Sequence, residues 1–458
     1  MKEYTLEQDR ARLENVVYAE NAVKACTRRL RIHDYIPGQA VYHLGGYPSR
    51  FSIAPTEYDE QCVKNLADLG IGLIQVHEEW NDAIRVLGAD KYSSHDPEGM
   101  RAFIDLCHKY GIKIIPYVST GYIDARDPDC REEFFLKEEP DLRLEQVHFR
   151  YRHACPQSAS WRRFILGKME NILDNYGFDG FYNDYGYARA EFYRRWCLEN
   201  GVEFRDDQLP YDPYAEDLLY RAYDLCHKRG GVMKMHVAFN RRITSTEKLY
   251  DYLWVGEGVS DPSTMLMTVP YEPYVVPCPD YKCVTDENFE AFFAQSLPFL
   301  QFPLRLDGRP LSAAKMNAPG VEYAPDPLTD FYREVAAYAE AHPNGPYVYS
   351  DWSSIPDNVM LRQRWGEYLK LYLPMVEEGN LCHLNVTEST LVKGPMPQDV
   401  YMSLFTGCRQ FICVSNLGNV PQTLILEGVW KDCESGVSGS EFVLSPQRVR
   451  FLERMIHS

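Results

Sequence analysis

The sequence predicts an α/β protein in which a (β/α)8 TIM barrel is followed by a small C-terminal antiparallel β-domain. Strand-like runs alternate with helix-like runs from about residue 38 onward, which is typical of parallel βα units. A helix end, a glycine and a strand follow one another at Gly70, Gly111 and Gly177, where glycine suits the left-handed cap of a helix. After about residue 385 the pattern changes to short β-like runs joined by turns. The predicted divisions are a helical N-terminal segment (1–37), the barrel (38–384) and the β-domain (385–458).

The sequence contains about eight strand-like runs. This number, and the length of chain from the first run to the last, favour a closed barrel over an open doubly wound sheet. No Gly-x-Gly-x-x-Gly motif follows the first strand, which weakens the dinucleotide-binding alternative. A charged helical segment is expected over 5–32, and the Pro-rich stretch 270–279 is expected to be a long loop. The expected barrel strands are 40–44, 72–76, 113–118, 180–184, 233–238, 252–256, 299–304 and 348–350. In the β-domain, strands are expected at 409–416, 422–427 and 441–444.

Composition excludes several classes of partner. The 458 residues carry a formal net charge of -18, which would repel a phosphate backbone, so nucleic acid is not an expected partner. No apolar run reaches the roughly 18 residues of a membrane span, and no signal-peptide core follows the first residue. The 13 cysteines include no Cys-x-x-Cys pair, which favours reduced thiols in a cytoplasmic protein. The oligomeric state stays open.

Asp184 is the leading catalytic candidate, because it closes the predicted strand 180–184. Functional side chains of parallel barrels lie at the carboxyl ends of the strands. The two-residue period of a strand places Tyr182 and Asp184 on one face and Asp179 on the other. Asp179 is therefore expected to anchor the start of the strand by hydrogen bonding.

Glu257 is the second catalytic candidate, because it directly follows the apolar run 252–256. Glycosidic cleavage needs two carboxyl groups across the scissile bond, one of which must hold a proton. An apolar neighbour such as Trp254 favours the protonated form by desolvation. A structural alternative is that Glu257 caps a helix or pairs with Arg241 or Arg242.

Polar and aromatic side chains gather at the other predicted strand ends, where they could bind a sugar. Aromatic rings there could stack on sugar faces, although most tyrosines of the chain are expected to pack in cores. The substrate-binding candidates are His77, Glu79, Trp80, Tyr117, Asp124, Tyr182, Asn183, Tyr185, His236, Asn240 and Arg241. Two other kinds of site stay open: a metal centre using His77, Glu78 and His236, and a cysteine nucleophile at Cys155 beside His153.

The run 177–184, Gly-Phe-Asp-Gly-Phe-Tyr-Asn-Asp, resembles the fourth-strand nucleophile motif of retaining α-glycosidase barrels. It is similar to that of the family 31 α-glucosidases, the melibiase-type α-galactosidases and the endo-α-N-acetylgalactosaminidases. Residues 155–161 resemble the corresponding region of uncharacterised bacterial barrel proteins related to these families. The run 253–257, Leu-Trp-Val-Gly-Glu, resembles the strand that carries the acid/base in α-amylase-type barrels. Where family 31 has Asp-Met-Asn-Glu, residues 184–187 read Asp-Tyr-Gly-Tyr.

The resemblance implies a glycoside hydrolase that cleaves an α-linked glycoside or oligosaccharide. Asp184 would then be the nucleophile and Glu257 the acid/base, with no cofactor required. The alternatives are a carbohydrate-binding barrel without catalysis and a metal-dependent hydrolase.

Overall fold

The computed structural model describes residues 4–44, 52–82, 90–94, 96–125, 127–140, 142–143, 150–184, 190–204, 212–236, 248–259, 273–279, 283–309, 359–377 and 379–455. No helix within these ranges is long and apolar enough to cross a membrane. The helices are α1 (Leu6–Ala22), α2 (Glu57–Leu69), α3 (Pro97–Lys109), α4 (Ala159–Tyr176), α5 (Ala190–Asn200), α6 (Pro213–His227), α7 (Phe289–Ala294) and α8 (Val359–Tyr372). The strands are β1 (Val23–Arg31), β2 (Gln39–His43), β3 (Leu73–Val76), β4 (Asn81–Asp82), β5 (Asp90–Ser94), β6 (Lys113–Ser119), β7 (Tyr122–Asp124), β8 (Leu142–Arg143), β9 (Arg150–His153), β10 (Gly180–Asp184), β11 (Val232–His236), β12 (Tyr252–Val259), β13 (Val275–Pro279), β14 (Arg305–Gly308), β15 (Leu381–Ser389), β16 (Val400–Thr406), β17 (Gln410–Asn416), β18 (Gln422–Asp432), β19 (Ser438–Leu444) and β20 (Arg448–Met455).

The two main sheets confirm the predicted (β/α)8 barrel with an antiparallel C-terminal β-domain. An eight-stranded sheet has the order β13-β12-β11-β10-β6-β3-β2-β14, and its neighbours from β12 to β14 pair in parallel. A seven-stranded sheet has the order β1-β15-β16-β17-β20-β18-β19. The chain divides into two compact units, one comprising Gln39–Val255 and Arg305–Ile355, the other Met1–Gly38, Gly256–Leu304 and Pro356–Ser458.

The first six predicted barrel strands correspond to β2, β3, β6, β10, β11 and β12, with small differences at their ends. The seventh prediction is wrong, because residues 299–304 form no strand and the seventh strand is β13, inside the stretch predicted to be a loop. All residues of β13 are buried, and the carbonyl of Pro277 accepts a hydrogen bond from Leu304 N (2.7 Å). Strand β13 is the last strand in the sheet order, so one of its sides does not need backbone N–H groups to pair with a neighbour. Proline, which lacks that group, is therefore tolerated there. The eighth strand is β14, and the predicted strand 348–350 lies outside the described residues.

The helix predicted to reach residue 32 ends at Ala22. A capping box starts it, in which Thr5 Oγ1 accepts from Gln8 N (3.2 Å) and Gln8 Oε1 accepts from Thr5 N (2.8 Å). Strand β1 follows directly and pairs antiparallel with β15. Residues 23–31 form a strand because they pair with β15, which is distant in sequence. The local charge pattern is helix-like and does not reveal this pairing.

The core of the seven-stranded sheet is closed by α1. Trp430 is fully buried among aliphatic side chains such as Leu404 and Ile412, and Ala19 and Ala22 of α1 belong to the same cluster. The small alanine side chains let the helix approach the sheet closely. Burying a large aliphatic side chain stabilises a fold by about 1.5–3 kcal/mol, so this cluster is a major source of stability for the unit.

The segment from α4 to β10 positions the predicted catalytic carboxylate. Ser158 caps α4 by accepting from Trp161 N (3.2 Å), and Gly177 ends it with a φ of 84°. Gly180 then starts β10 with a φ of 135°, and a Cβ there would lie 1.9 Å from the carbonyl oxygen of Val232. Glycine is required at this position because β10 and β11 approach each other closely. That approach sets the register between the two strands and so the position of Asp184.

Arg309 is a fully buried arginine that fixes the chain around β2. Its guanidinium donates to both carboxylate oxygens of Asp59, at 2.8 and 2.7 Å. It also donates to the carbonyls of Leu44, Ser52 and Ala54 at 2.7 to 3.1 Å. Burial alone would raise the pKa of Asp59, but the hydrogen bonds and charge of Arg309 outweigh it and hold that pKa below its ordinary value.

Candidate functional site

Asp184 closes β10, and neighbouring strands supply donors to both of its carboxylate oxygens. Strand β10 lies between β6 and β11, which carry Tyr117 and His236. The Tyr117 hydroxyl donates to Asp184 Oδ2 (2.5 Å), and His236 Nδ1 lies 2.7 Å from Oδ1. The hydroxyl of Tyr122, at the start of β7, lies 3.4 Å from Oδ2 and also bonds the Tyr117 hydroxyl. These donors stabilise an ionised carboxylate and orient it.

Aromatic rings line the barrel interior beside Asp184. Tyr182, two residues earlier on β10, stands edge-on to Trp254 with the ring centroids 5.5 Å apart. His236 also stands edge-on to Trp254, at 4.4 Å. His77, which follows β3, lies 5.4 Å from the ring of Tyr182. The structure therefore brings together five of the predicted site residues: His77, Tyr117, Tyr182, Asp184 and His236.

Glu79 and Trp80, two of the predicted substrate-binding residues, are buried in the structure. Glu79 Oε1 lies 2.9 Å from His43 Nδ1, and both side chains are fully buried. Trp80 is also fully buried, donates from Nε1 to the carbonyl of Tyr117 (3.0 Å) and packs edge-on against Phe178. Both side chains are buried in contacts with other groups of the protein, and the predicted role of each in sugar binding stays a prediction.

Asn183 lies on the opposite face of β10 from Asp184. Its Oδ1 accepts from Thr120 N (3.1 Å), and its Nδ2 donates to Thr120 Oγ1 (3.0 Å). Both atoms are thus used to hold the turn after β6. Asp179, also on that face, accepts from Ile114 N (2.8 Å), which confirms the predicted anchoring of the strand start.

The remaining predicted site residues cannot be placed at this site. Glu257 and Asp124 lie in strands β12 and β7, but their side chains fall outside the described part of the chain. The same holds for Glu78, which begins a short 3-10 turn after β3. Tyr185, Asn240 and Arg241 lie wholly outside the described residues.

The alternative chemistries gain no support from the described side chains. No group of three or more His, Cys, Asp or Glu side chains in that part of the chain is arranged to hold a metal ion. The Nε2 atom of His77 faces the Gln75 amide, and the Nδ1 atom of His236 faces Asp184. Burial raises the pKa of Cys155 to about 11, so its thiol stays protonated and is a poor nucleophile.

Two further residues lie close to these side chains, and neither is among the predicted substrate-binding residues. Tyr122 lies at the start of β7, three residues after β6 ends, and its hydroxyl lies 3.4 Å from Asp184 Oδ2. Lys234 is fully buried on β11 and donates to Gln75 Oε1 (2.6 Å). A lysine between two methionines of an apolar strand was the one sequence signal available for it.

No protein-family model matches the chain. A comparison with curated proteins also gives no match.

Several solved structures share the fold, and all of them are distant in sequence. A protein described as an alpha amylase from Salmonella typhimurium is 16% identical, with 92% of this chain and 83% of that chain covered and a TM-score of 0.51. The α-amylase of Geobacillus thermoleovorans in complex with acarbose is 8% identical, with 93% and 100% covered and a TM-score of 0.51. A variant of AmyP in complex with maltotriose is 11% identical, with 92% and 98% covered and a TM-score of 0.50. These likenesses establish the fold: a parallel barrel with an antiparallel β-domain, shared with α-amylase structures.

Proposed function

We propose that this protein is a glycoside hydrolase that cleaves an α-linked glycoside or oligosaccharide with retention of configuration. The observation that carries the proposal is Asp184, a carboxylate at the end of the fourth barrel strand with donors on both oxygens. A carboxylate nucleophile must stay ionised and point at the substrate, and such donors serve both needs. The similar structures described as α-amylases agree with this choice of chemistry.

In this proposal Asp184 attacks the anomeric carbon, and Glu257 protonates the leaving oxygen and then activates water. The rings of His77, Tyr117, Tyr182 and His236 form the floor of the sugar site, while Glu79, Trp80 and Asn183 support it from behind. Asp124, Tyr185, Asn240 and Arg241 are proposed to complete the sugar contacts. No cofactor takes part. The finer resemblance to family 31, melibiase and endo-α-N-acetylgalactosaminidase barrels, and a cytoplasmic location, stay predictions.

Glu257→Gln is expected to abolish hydrolysis while leaving sugar binding intact, because the amide cannot donate a proton to the leaving group. The test is a panel of aryl α- and β-glycosides together with maltotriose, which a similar structure binds. Wild type and variant are compared by product release, and NMR of the first product gives its anomeric form. Binding without cleavage by wild type would instead indicate a non-catalytic carbohydrate-binding barrel.

Tyr117→Phe is expected to lower kcat/KM about tenfold or more on any cleaved glycoside. The variant removes the 2.5 Å hydrogen bond to Asp184, and a bond to a charged group contributes about 1.5–3 kcal/mol. Tyr122→Phe is the matched control, because its hydroxyl lies 3.4 Å from the same oxygen. Its effect should be clearly smaller. Equal losses in the two variants would show that the short contact has no special role.

A further inference from the structure

The two ring nitrogens of His236, at the end of β11, have different surroundings. Nδ1 lies 2.7 Å from Oδ1 of Asp184. Nε2 makes no hydrogen bond with any residue that the structure describes, and it is not among the buried side-chain atoms that lack a partner there. The side chain of His236 is 13% exposed. Nε2 is therefore a nitrogen beside Asp184 that solvent, and hence a ligand, can reach.

The neighbours of His236 hold its ring in one orientation. Trp254 stands edge-on to the imidazole, with the ring centroids 4.4 Å apart, and the ring of Tyr182 lies 6.4 Å away. Asp184 holds the ring at Nδ1. Because packing and a hydrogen bond fix the ring together, Nε2 offers its hydrogen-bonding direction to a ligand without a search among rotamers.

The contact with Asp184 decides which nitrogen of His236 carries the proton. An ionised carboxylate can only accept a hydrogen bond, so Nδ1 must be the donor. In the neutral ring Nε2 then has no proton and acts as an acceptor. Among the oxygens of a sugar, only the hydroxyl groups can donate to such a nitrogen. Nε2 is therefore suited to bind a hydroxyl group, and the ring and glycosidic oxygens gain nothing from it.

We propose that His236 determines specificity, with its Nε2 accepting a hydrogen bond from the sugar hydroxyl on the carbon next to the anomeric carbon. This inference rests on the proposed function, because an ionised Asp184 fixes the tautomer and attacks the anomeric carbon. His236 is bonded to that carboxylate, and this hydroxyl is the one nearest to the carbon under attack. Hydrogen bonds to it strengthen in the transition state of glycoside cleavage. The favoured substrates are therefore sugars in which this hydroxyl is present and free.

NMR of protein labelled with 15N-histidine reads the protonated nitrogen directly and tests the tautomer. The signals of His236 are those missing from the spectrum of His236→Asn. At pH 8, where an ordinary histidine is neutral, we expect Nδ1–H in wild type. In Asp184→Asn the amide can donate as well as accept, so the Nε2–H form should appear beside the Nδ1–H form. An Nε2–H form or an imidazolium in wild type would overturn the inference.

His236→Asn is also the kinetic test, because its NH2 group can replace Nδ1 as a donor to Asp184 but leaves nothing at the place of Nε2. The substrates are the aryl glycoside that wild type cleaves and its 2-deoxy analogue. On the first, kcat/KM should fall about tenfold, as expected for one lost hydrogen bond. On the 2-deoxy analogue the variant should match wild type. Comparing the two losses cancels the intrinsic difference in reactivity between the substrates.

His227→Asn is the matched control, because His227 is exposed on α6 and faces Asp251. It should match wild type on both substrates. Equal losses of kcat/KM by His236→Asn on the glycoside and on its 2-deoxy analogue would overturn the inference. The NMR result needs no turnover, so a wild type that cleaves no glycoside refutes the proposed function separately.

Discussion

Asp184→Asn should reduce kcat/KM by about four orders of magnitude or more, comparable with losses seen when catalytic nucleophiles are removed. The amide cannot form the covalent glycosyl intermediate. The side chain keeps its shape, and the Tyr117 hydroxyl can turn to accept from the new NH2 group, so the barrel should remain folded. Product release from the cleaved member of the glycoside panel, compared with wild type, measures the effect.

Asp179→Asn is the matched control for this experiment. Asp179 precedes the same strand but accepts from Ile114 N and lies near His108 Nε2, away from the aromatic lining. This variant should lose some stability and retain kcat/KM within a small factor. If Asp179→Asn were as inactive as Asp184→Asn, or if Asp184→Asn retained activity, Asp184 would not be the nucleophile.

Arg309→Ala should be the most destabilising single change outside the candidate site, at about 3–5 kcal/mol. It leaves the carboxylate of Asp59 buried without its ion-pair partner and removes donors from four backbone carbonyls. The expected result is a lower midpoint of urea unfolding for the unit that contains β2 and β14. Arg221→Ala is the control, because Arg221 forms an exposed ion pair with Asp217, and such pairs contribute about 1 kcal/mol or less.

The same ion pair gives this stability a pH dependence of known sign. Because the pKa of Asp59 is held below its ordinary value, its contribution is present above the unfolded pKa of about 4 and is lost as the pH falls through the folded value. Wild type should therefore lose stability in acid more steeply than Arg309→Ala. Parallel acid curves for the two proteins would contradict this role of the pair.

Local sequence patterns were sufficient to predict those elements whose signals lie within a few residues of one another. Strand β10 is an apolar run after a glycine-ended helix, so its bounds and the opposite faces of Asp179 and Asp184 follow from the two-residue period. Strand β13 was not predicted, because its prolines are typical of a loop. Its place at the end of the sheet order, which allows prolines in a strand, depends on the tertiary structure.

The candidate site was predictable in outline and not in its supporting contacts. Tyr182 and Asp184 share a face because they are two residues apart on β10. His236 joins them because it ends the neighbouring strand β11. Trp80 and Glu79 are buried in the structure, and residues just past a strand end can turn into the barrel wall as easily as into the cleft, so their place was not predictable from spacing alone. Lys234 depends on a neighbour on another strand, Gln75, which no spacing along the chain reveals.

The pairing of β1 with β15 has a consequence for synthesis on the ribosome. The two strands lie about 350 residues apart in sequence, so β1 is synthesised well before its partner. An unpaired strand edge invites association with other chains, and positive charge opposes that. Strand β1 contains Lys24, Arg28, Arg29 and Arg31, and like charges of this kind repel the same strand of a neighbouring nascent chain.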